Sequence, residues 1–286
     1  MEIDNVFLQC GESGIQQQKY AFILYILKVY TPFHILQYTF VGRTSSFQCI
    51  RGNVILTNKC FDNRVFSCDN LTFSSDTSSI VSEWNLVCDQ SWLAKASMSV
   101  LMMGFLVGAL ILGSTADKIG RKNNILFTLL GMLFFNVVSA LTYTYNIYLF
   151  SRFMIGFFVA GNVLSIVVLM SELVGPSYRS RYGLVIMGGF PVGIILLTLL
   201  ASNIMSWRPL TFLVSLLGIP LLLSHCFLVE SPRWLLSQGR QLEAEQVLTN
   251  IARGNKFMGK MSGTTEKLIV NSDTRLNQVW NFLTGF

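Results

Sequence analysis

One short basic turn places an acid and two bases beside two glycines. Gly113, Asp117, Gly120, Arg121 and Lys122 follow the pattern G-x-x-x-D-x-x-G-R-K. The glycines suit a tight hairpin, and an acid beside a basic pair can form ion pairs that are made in one conformation and broken in another. The chemistry that this turn offers is therefore reversible ion pairing, which we interpret as gating. The alternative to gating is that the basic residues are a static topological anchor of the loop, and we prefer this interpretation for Lys122.

Further charged residues at the ends of apolar segments extend this turn into a predicted charge network. An acid near a helix amino terminus and a base near a carboxyl terminus are each favoured by the helix dipole, and losing one member of a partly buried pair destabilises the structure. We expect such a network to hold several helices together at one end of a bundle. Beyond the basic turn, its predicted members are Glu172, Arg179, Arg181, Glu230 and Arg233.

Arg152 is the strongest single candidate for a binding residue. It lies a few residues inside an apolar segment, roughly 8 Å along a helix, and Gly156 and Gly161 follow it. A charged side chain at that depth either snorkels to the surface or faces the protein interior, and the small neighbours favour close packing of the helix. His34 also lies within an apolar run, where we interpret it as a satisfied interior histidine, with a proton relay as the alternative.

The composition indicates that membrane-spanning helices position these residues. The chain has 286 residues, of which 52% are hydrophobic and 13% are charged, and its mean hydropathy is +0.52. Soluble domains carry about 25% charged residues. Twelve spans of about 20 residues would leave too little chain for the connections, whereas six spans fit. We therefore expect a polytopic membrane protein and exclude a single-anchor receptor.

Six apolar segments have the length that a bilayer requires. They run from about Tyr20 to Val41, Leu93 to Ser114, Asn124 to Thr144, Ile147 to Ser171, Tyr182 to Met205 and Pro209 to Val229. The first is the least regular, because Lys28, Pro32 and His34 interrupt it. Basic residues concentrate in the connections on one side, which the positive-inside rule makes cytoplasmic. Both termini are then predicted to be cytoplasmic.

The polar connection at residues 43–92 is predicted to lie outside the cell. It holds four of the six cysteines, namely Cys49, Cys60, Cys68 and Cys88. An even number in an oxidising compartment predicts two disulfides, with four free thiols as the alternative, and three pairings are open. The same connection carries a glycosylation sequon at Asn70, which is usable only on the lumenal side. Cys10 and Cys226 are expected to be free thiols.

The predicted organisation has five parts. These are a cytoplasmic amino terminus at 1–19, the first span at 20–42, the outer loop at 43–92, spans two to six at 93–229 and a cytoplasmic region at 230–286. In the last part, apolar residues recur at helix spacing from Ser231 to about Asn255, which predicts one short amphipathic helix. A linker with several glycines is expected to follow it, up to Asp273.

Several motifs together resemble one transporter family. The turn that ends in GRK is similar to the loop between spans two and three of the major facilitator superfamily. The segments EWNLVC from Glu83, ESPRWLL from Glu230, ELVG from Glu172 and GESGIQQQ from Gly11 resemble the organic cation, anion and zwitterion transporter family within it. The similarity covers essentially the whole chain, but only the amino-terminal half of a typical member.

The resemblance implies a fold and two substrate contacts. The fold is all-α, the six-transmembrane-helix half of a major facilitator fold, with Arg152 in its interior. Phe105 corresponds to an aromatic position that lines the substrate cavity in cation-transporting relatives, and an aromatic face attracts an organic cation. A lipid-facing phenylalanine is an alternative of equal weight. In relatives, the second half supplies part of the charged substrate contacts, and it lies outside this sequence.

Other classes of function find no support in the sequence. It contains no ATP-binding loop of the form GxxxxGK[ST], no catalytic triad, no metal cluster and no haem ligand set. We therefore expect neither an enzyme nor a protein with a metal or another cofactor. The net charge of +6 follows from the positive-inside bias, so we expect no nucleic acid partner.

These observations predict a carrier for a small organic ion in the plasma membrane, working by alternating access. An organic cation or a carnitine-like zwitterion is the favoured substrate. Two alternatives stay open: a truncated form that modulates a full-length relative without transporting, and a sugar-type facilitator, against which the cysteine-bearing loop argues. The expected partners are the substrate and the lipid bilayer, together with a second copy of the chain or a full-length relative.

Overall fold

The computed structural model describes Asp4, Phe7, Leu8 and residues 11–73 and 78–255, which form a helical bundle with one small sheet. In this part of the chain the helices are α1 (Ile15–Ile35), α2 (Tyr38–Val41), α3 (Ile80–Glu83), α4 (Ser91–Ile119), α5 (Arg121–Leu141), α6 (Tyr145–Leu173), α7 (Arg179–Asn203), α8 (Trp207–Gly218), α9 (Ser224–Phe227), α10 (Pro232–Ser237) and α11 (Gln241–Gly254). The strands are β1 (Phe47–Arg51), β2 (Val54–Thr57) and β3 (Asn70–Phe73).

Five helical segments in the described residues are long and apolar enough to cross a bilayer. They are Cys88–Ile119, Arg121–Leu141, Tyr145–Leu173, Pro176–Asn203 and Trp207–Phe227, and they coincide with predicted spans two to six. The first predicted span forms α1 but falls outside this set, because Gln16, Gln17, Gln18 and Lys19 begin the helix and Lys28 lies within it. That α1 crosses the bilayer therefore stays a prediction.

Helices α4 and α6 run parallel and touch through their backbones. A Cβ atom at Gly104 would lie 2.0 Å from the carbonyl oxygen of Phe153, and one at Gly108 would lie 2.1 Å from that of Phe157. From the other side, a Cβ at Gly156 would lie 2.0 Å from the carbonyl oxygen of Leu101. These distances leave no room for a side chain, so glycine alone permits this approach.

A second parallel pair, α1 and α7, packs in the same way. A Cβ at Gly193 would lie 2.0 Å from the carbonyl oxygen of Val29, and one at Gly189 would lie 3.2 Å from that of Tyr25. The adjacent Gly188 does not take part in this contact, because nothing lies within 4 Å of its Cβ position.

Buried asparagines on two helices add polar links between helices. Each donates from its side-chain amide to a hydroxyl oxygen: Asn124 to Ser165 at 2.7 Å, Asn162 to Thr128 at 3.1 Å and Asn136 to Ser215 at 2.9 Å. The first two connect α5 with α6, and the third connects α5 with α8. Because a buried polar group without a partner is destabilising, these bonds fix how the helices are rotated against one another.

The segment at residues 43–90, here called the disulfide segment, carries a sheet that the sequence did not predict. Strand β1 lies in the middle and pairs antiparallel with β2 and β3. Gly52 turns the chain between β1 and β2 with a φ of +56°, as a two-residue hairpin requires. The prediction of two disulfides is confirmed, and the pairing is Cys49 with Cys68 and Cys60 with Cys88.

Arg208, at the start of α8, clamps the disulfide segment onto the bundle. Its guanidinium group donates to both carboxylate oxygens of Glu83, and to the carbonyl oxygens of Ala140 and Thr142, each at 2.6 Å. The indole nitrogen of Trp207 donates to the same carboxylate at 2.7 Å. One side chain therefore connects the segment, the end of α5 and the start of α8.

Trp84 supplies the apolar part of this docking. Its ring lies 5.1 Å from that of Tyr148 and 5.6 Å from that of Trp207, measured between centroids. Such tilted aromatic pairs bury a large area. The disulfide segment thus sits on the ends of α6 and α8.

The region after α9 differs from its prediction. One amphipathic helix was expected, but two form, α10 and α11, because the chain turns at Gly239 with a φ of +73°. The apolar face itself is confirmed, since Ala244, Leu248 and Ile251 are buried. The predicted linker falls almost entirely on residues outside the described part, as does Cys10. Cys226 is a free, exposed thiol, as expected.

The close approach of α4 and α6 predicts opposite effects for two glycine substitutions. Gly104→Ala is expected to lower the free energy of unfolding by about 1 to 3 kcal/mol, because the methyl group forces the helices apart. Gly188→Ala is the matched control and is expected to be neutral or stabilising by up to about 1 kcal/mol, since alanine is the better helix former. Thermal unfolding of the detergent-solubilised chain measures both, and an equal effect of the two would contradict the packing.

The Arg208 clamp predicts that lysine does not replace arginine there. Arg208→Lys is expected to lower the free energy of unfolding by about 2 kcal/mol, since an ammonium group cannot reach one carboxylate and two carbonyls with a planar fork. The control is Arg240→Lys, at an exposed arginine paired with Glu243, where the expected change is below about 0.5 kcal/mol. Thermal unfolding followed by tryptophan fluorescence compares the two variants.

Candidate functional site

The predicted charge network lies at the end of the bundle opposite the disulfide segment. Here α4 ends, α5 begins, α6 ends and the chain leaves α9. We call the group formed by Asp117, Gly120, Arg121, Glu172 and Glu230 the charge cluster. These residues come from three distant parts of the sequence, and the structure brings them into contact.

Arg121 holds two acids at once. Its guanidinium nitrogens lie 2.8 Å from a carboxylate oxygen of Asp117 and 3.1 Å from one of Glu172. The side chains of Arg121 and Glu172 are 12% and 16% exposed, whereas that of Asp117 is 71% exposed. Because solvent screens exposed pairs, the link between Arg121 and Glu172 is the stronger one.

Glu230 binds backbone rather than an arginine side chain. One oxygen of its carboxylate accepts from the amide N–H groups of Arg121 and Lys122, at 2.9 and 3.1 Å, and from that of Ser231 at 3.0 Å. The first two amides begin α5 and have no partner within that helix. A carboxylate at this position is also favoured by the helix dipole. Glu230 therefore caps α5 from a position 109 residues further along the chain.

Gly120 makes this cap possible. It has a φ of +98°, and a Cβ there would lie 2.4 Å from a carboxylate oxygen of Glu230. Gly113 was expected to share the turn, but this is wrong, because it lies inside α4 and its nearest neighbour is Leu164. One glycine with a positive φ is enough to reverse the chain. Lys122 contributes its backbone amide, in agreement with a structural role.

A second ionic group contains an acid that the sequence analysis missed. Asp4 accepts from the guanidinium groups of both Arg179, at 2.5 Å, and Arg233. Arg179 also donates to the carbonyl oxygen of Ser171 at 3.1 Å. Burial raises the pKa of Asp4, but Arg233 and Arg179 outweigh this effect and hold it below its usual value. Only three-dimensional contact reveals this acid, since no local pattern marks it.

Arg181 takes part in neither ionic group in the described part of the chain. It is exposed, and its guanidinium carbon lies 5.4 Å from the centre of the Tyr178 ring. The predicted single network is therefore two groups: the charge cluster, and the pairing of Asp4 with Arg179 and Arg233.

Arg152 faces the interior, as predicted. It is 3% exposed, which excludes snorkelling to the surface. Phe105 is half-buried and packs against the main apolar core. Its backbone nitrogen lies beside Gly156, one helical turn beyond Arg152. The two candidates for substrate contact therefore lie along the same seam between α4 and α6.

His34 is fully buried, and neither of its ring nitrogens has a hydrogen-bond partner. The interpretation as a satisfied histidine is therefore wrong. The nearest ring on its own helix is Tyr30, which meets it edge-on with centroids 4.7 Å apart. An aromatic ring fills space here but leaves the polar atoms unpaired.

The outer-loop candidates are placed as follows. All four predicted cysteines form the two disulfides. Asn70 is exposed at the start of β3. The sequon is thus sterically open, and its glycosylation stays a prediction.

The geometry of the charge cluster ranks two acid substitutions. Glu172→Gln is expected to lower the free energy of unfolding by about 1 to 3 kcal/mol, because it leaves a largely buried guanidinium with one exposed partner. Asp117→Asn is the matched control, with an expected loss below about 0.5 kcal/mol. Thermal unfolding in detergent compares them. A larger loss for Asp117→Asn would show that the exposed pair dominates.

The family described as "Sugar (and other) transporter" matches residues 47–284. "Solute carrier family 22 member 15-like" from Xenopus tropicalis is 32% identical over 255 residues, covering 89% of this chain and 51% of the relative. "Organic cation transporter protein" from Drosophila melanogaster is 30% identical and covers 90% of this chain and 53% of its own length. "Solute carrier family 22 member 1" from Bos taurus is 37% identical over 68% of this chain and 36% of the relative.

Solved structures with the same fold include the xylose transporter XylE from E. coli. Its inward open conformation has a TM-score of 0.60 at 15% identity, covering 90% of this chain and 55% of that one. The complex of this transporter with 6-bromo-6-deoxy-D-glucose has a TM-score of 0.59 at 17% identity, and the match covers 94% of this chain and 57% of that one. The likeness confirms the half-facilitator fold and says nothing about substrate.

The chain spans about half the length of the curated relatives that it matches over most of its own length. Their names confirm the resemblance to organic ion transporters that the motifs indicated. The chain belongs to the sugar (and other) transporter family of the major facilitator superfamily.

Proposed function

We propose that this chain forms one half of a carrier that moves a small organic ion across a membrane by alternating access. An organic cation or a carnitine-like zwitterion is the favoured substrate. Family membership supports transport, and relatives that are 30 to 37% identical are named as solute carrier family 22 members or organic cation transporters. Those names describe the relatives, and their extension to this chain is part of the proposal.

The charge cluster is the structural observation that carries the proposal. Arg121 and Glu230 link the start of α5 to the end of α6 and to the chain after α9 through hydrogen bonds and ion pairs alone. Alternating access requires contacts at each end of the bundle that form in one state and break in the other. Noncovalent links between charged groups at a solvent-facing end meet this requirement.

The proposed orientation follows from the same distribution of charge. The charge-cluster end carries the basic connections, so we place it in the cytoplasm together with both termini. The disulfide segment and Asn70 then face the exterior of the cell, with the plasma membrane as the compartment that fits. The five-part division of the chain at residues 19, 42, 92 and 229 belongs to this proposal.

Phe105 is the proposed contact for the cationic part of the substrate. It is half-buried beside the α4 and α6 seam, so that part of its ring is available to a ligand. Attraction between an aromatic face and an organic cation is worth about 0.5 to 2 kcal/mol. Arg152 lies one turn away but is buried within the helices, which separates it from this surface.

The sugar alternative has weaker support. The solved structures of the xylose transporter are 15 to 17% identical in sequence to this chain. Identity at this level supports the fold alone. The relatives that match at 30% identity and above carry names from the organic ion branch. The modulator alternative is left to the coexpression test described below.

Uptake into proteoliposomes tests the proposal directly. The purified chain is reconstituted, and saturable uptake of radiolabelled tetraethylammonium, carnitine and glucose is compared with that into empty vesicles. We expect tetraethylammonium or carnitine to exceed glucose, and Phe105→Ala to raise the KM for the cation several-fold. The matched control is Phe127→Ala, at an exposed phenylalanine on α5, which is expected to leave KM unchanged.

Two outcomes would contradict the proposal. Glucose uptake above that of both ions would show that the chain is a sugar-type facilitator. A second copy of the chain would supply the other half in these vesicles, so no saturable uptake of any compound would exclude a carrier built from two copies of this chain. Coexpression with a full-length organic cation transporter then tests the modulator alternative, which predicts altered uptake by that relative.

A further inference from the structure

Arg152 and His34 are buried side chains without partners. Arg152 is 3% exposed and His34 is 0% exposed. Nε and Nη2 of Arg152 have no hydrogen-bond partner, and neither do Nδ1 and Nε2 of His34. The other arginines of the described residues that are at least partly buried, Arg121, Arg179, Arg208 and Arg233, each bind a carboxylate. Arg152 is thus distinguished by depth and by the absence of a bound acid among the described residues.

An arginine cannot escape this situation by losing its proton. The guanidinium group stays charged throughout the physiological range, unlike a lysine or a histidine. A buried charge without a counter-charge is strongly destabilising. The structure therefore requires a negative group that the described residues do not supply.

The titratable side chains near Arg152 can each donate a hydrogen bond. The charge of Arg152 acts electrostatically on His34, Tyr38 and Tyr148, so these three side chains lie in its neighbourhood. Imidazole and phenol groups both carry a proton that can be given to an acceptor. Tyr148 lies one helical turn before Arg152 on α6, so the two side chains share a face. A buried group of one cation and several possible donors favours an anion.

We propose that Arg152 and His34 form a binding site for a small monovalent anion, either chloride or the carboxylate group of an organic acid. The site lies inside the six-helix unit, between α1 and α6, near the end that carries the disulfide segment. The helices of this chain bury it, so a carboxylate on a separate half of a carrier does not reach it without opening the unit. The proposal is independent of whether the chain transports.

Anion-dependent unfolding tests this site. The purified chain in neutral detergent is heated in sodium chloride, sodium acetate or sodium fluoride at equal ionic strength, fluoride being too strongly hydrated to enter a dry site. We expect chloride, acetate or both to raise the unfolding midpoint in a saturable way, by on the order of 5 °C. A response to chloride alone identifies an inorganic anion site, and a response to acetate identifies a carboxylate site. No response to either overturns the proposal.

The variant Arg152→Gln separates anion binding from a purely structural role. In fluoride it is expected to be at least as stable as the natural chain, because the unpaired charge is gone. In saturating chloride or acetate the order is expected to reverse, since the variant has lost the response. Arg181→Gln is the matched control and is expected to keep the full response, because Arg181 is exposed and at the other end of the bundle. A response retained by Arg152→Gln would contradict the assignment.

Discussion

The rest of the structure depends on the backbone contact between α4 and α6. The two helices are parallel, and glycines bring carbonyl oxygens of one helix to within the space that a Cβ atom of the other would occupy. This contact fixes α6 in depth and rotation, so that Arg152 faces inward near one end and Glu172 reaches the charge cluster at the other. Because lipid offers no hydrophobic force between helices, close packing of small residues is the main source of this order.

Electrostatics in this molecule works differently at the charge-cluster end and in the interior of the bundle. At that end, charges are paired across elements that are far apart in sequence, and the dipole of α5 is used as a partner for Glu230. In the interior, Arg152 stands without a partner among the described residues. The first arrangement joins elements reversibly. The second leaves a charge whose partner must come from outside the described chain.

The sequence was informative where local pattern determines structure. The long apolar runs follow from hydropathy and the two disulfides from cysteine parity, and the interior position of Arg152 follows from the resemblance of its segment to a known family. It was uninformative where the partner is distant: Glu230 lies 109 residues from the amide that it binds, and Asp4 lies 175 residues from Arg179. The prediction that Gly113 lies in the turn was wrong, because spacing alone does not show which glycine has a positive φ. The sheet was missed because its short strands lie in a polar loop with no strict alternation.

The clamp between Glu83 and Arg208 has a consequence for the order in which the chain assembles during synthesis. The disulfide segment is closed by bonds spanning 19 and 28 residues, so it can complete its own structure soon after it leaves the ribosome. Its anchor lies 125 residues further along the chain. Until α8 is synthesised, the segment can fold but cannot dock, and the indole of Trp84 lacks its contact with Trp207.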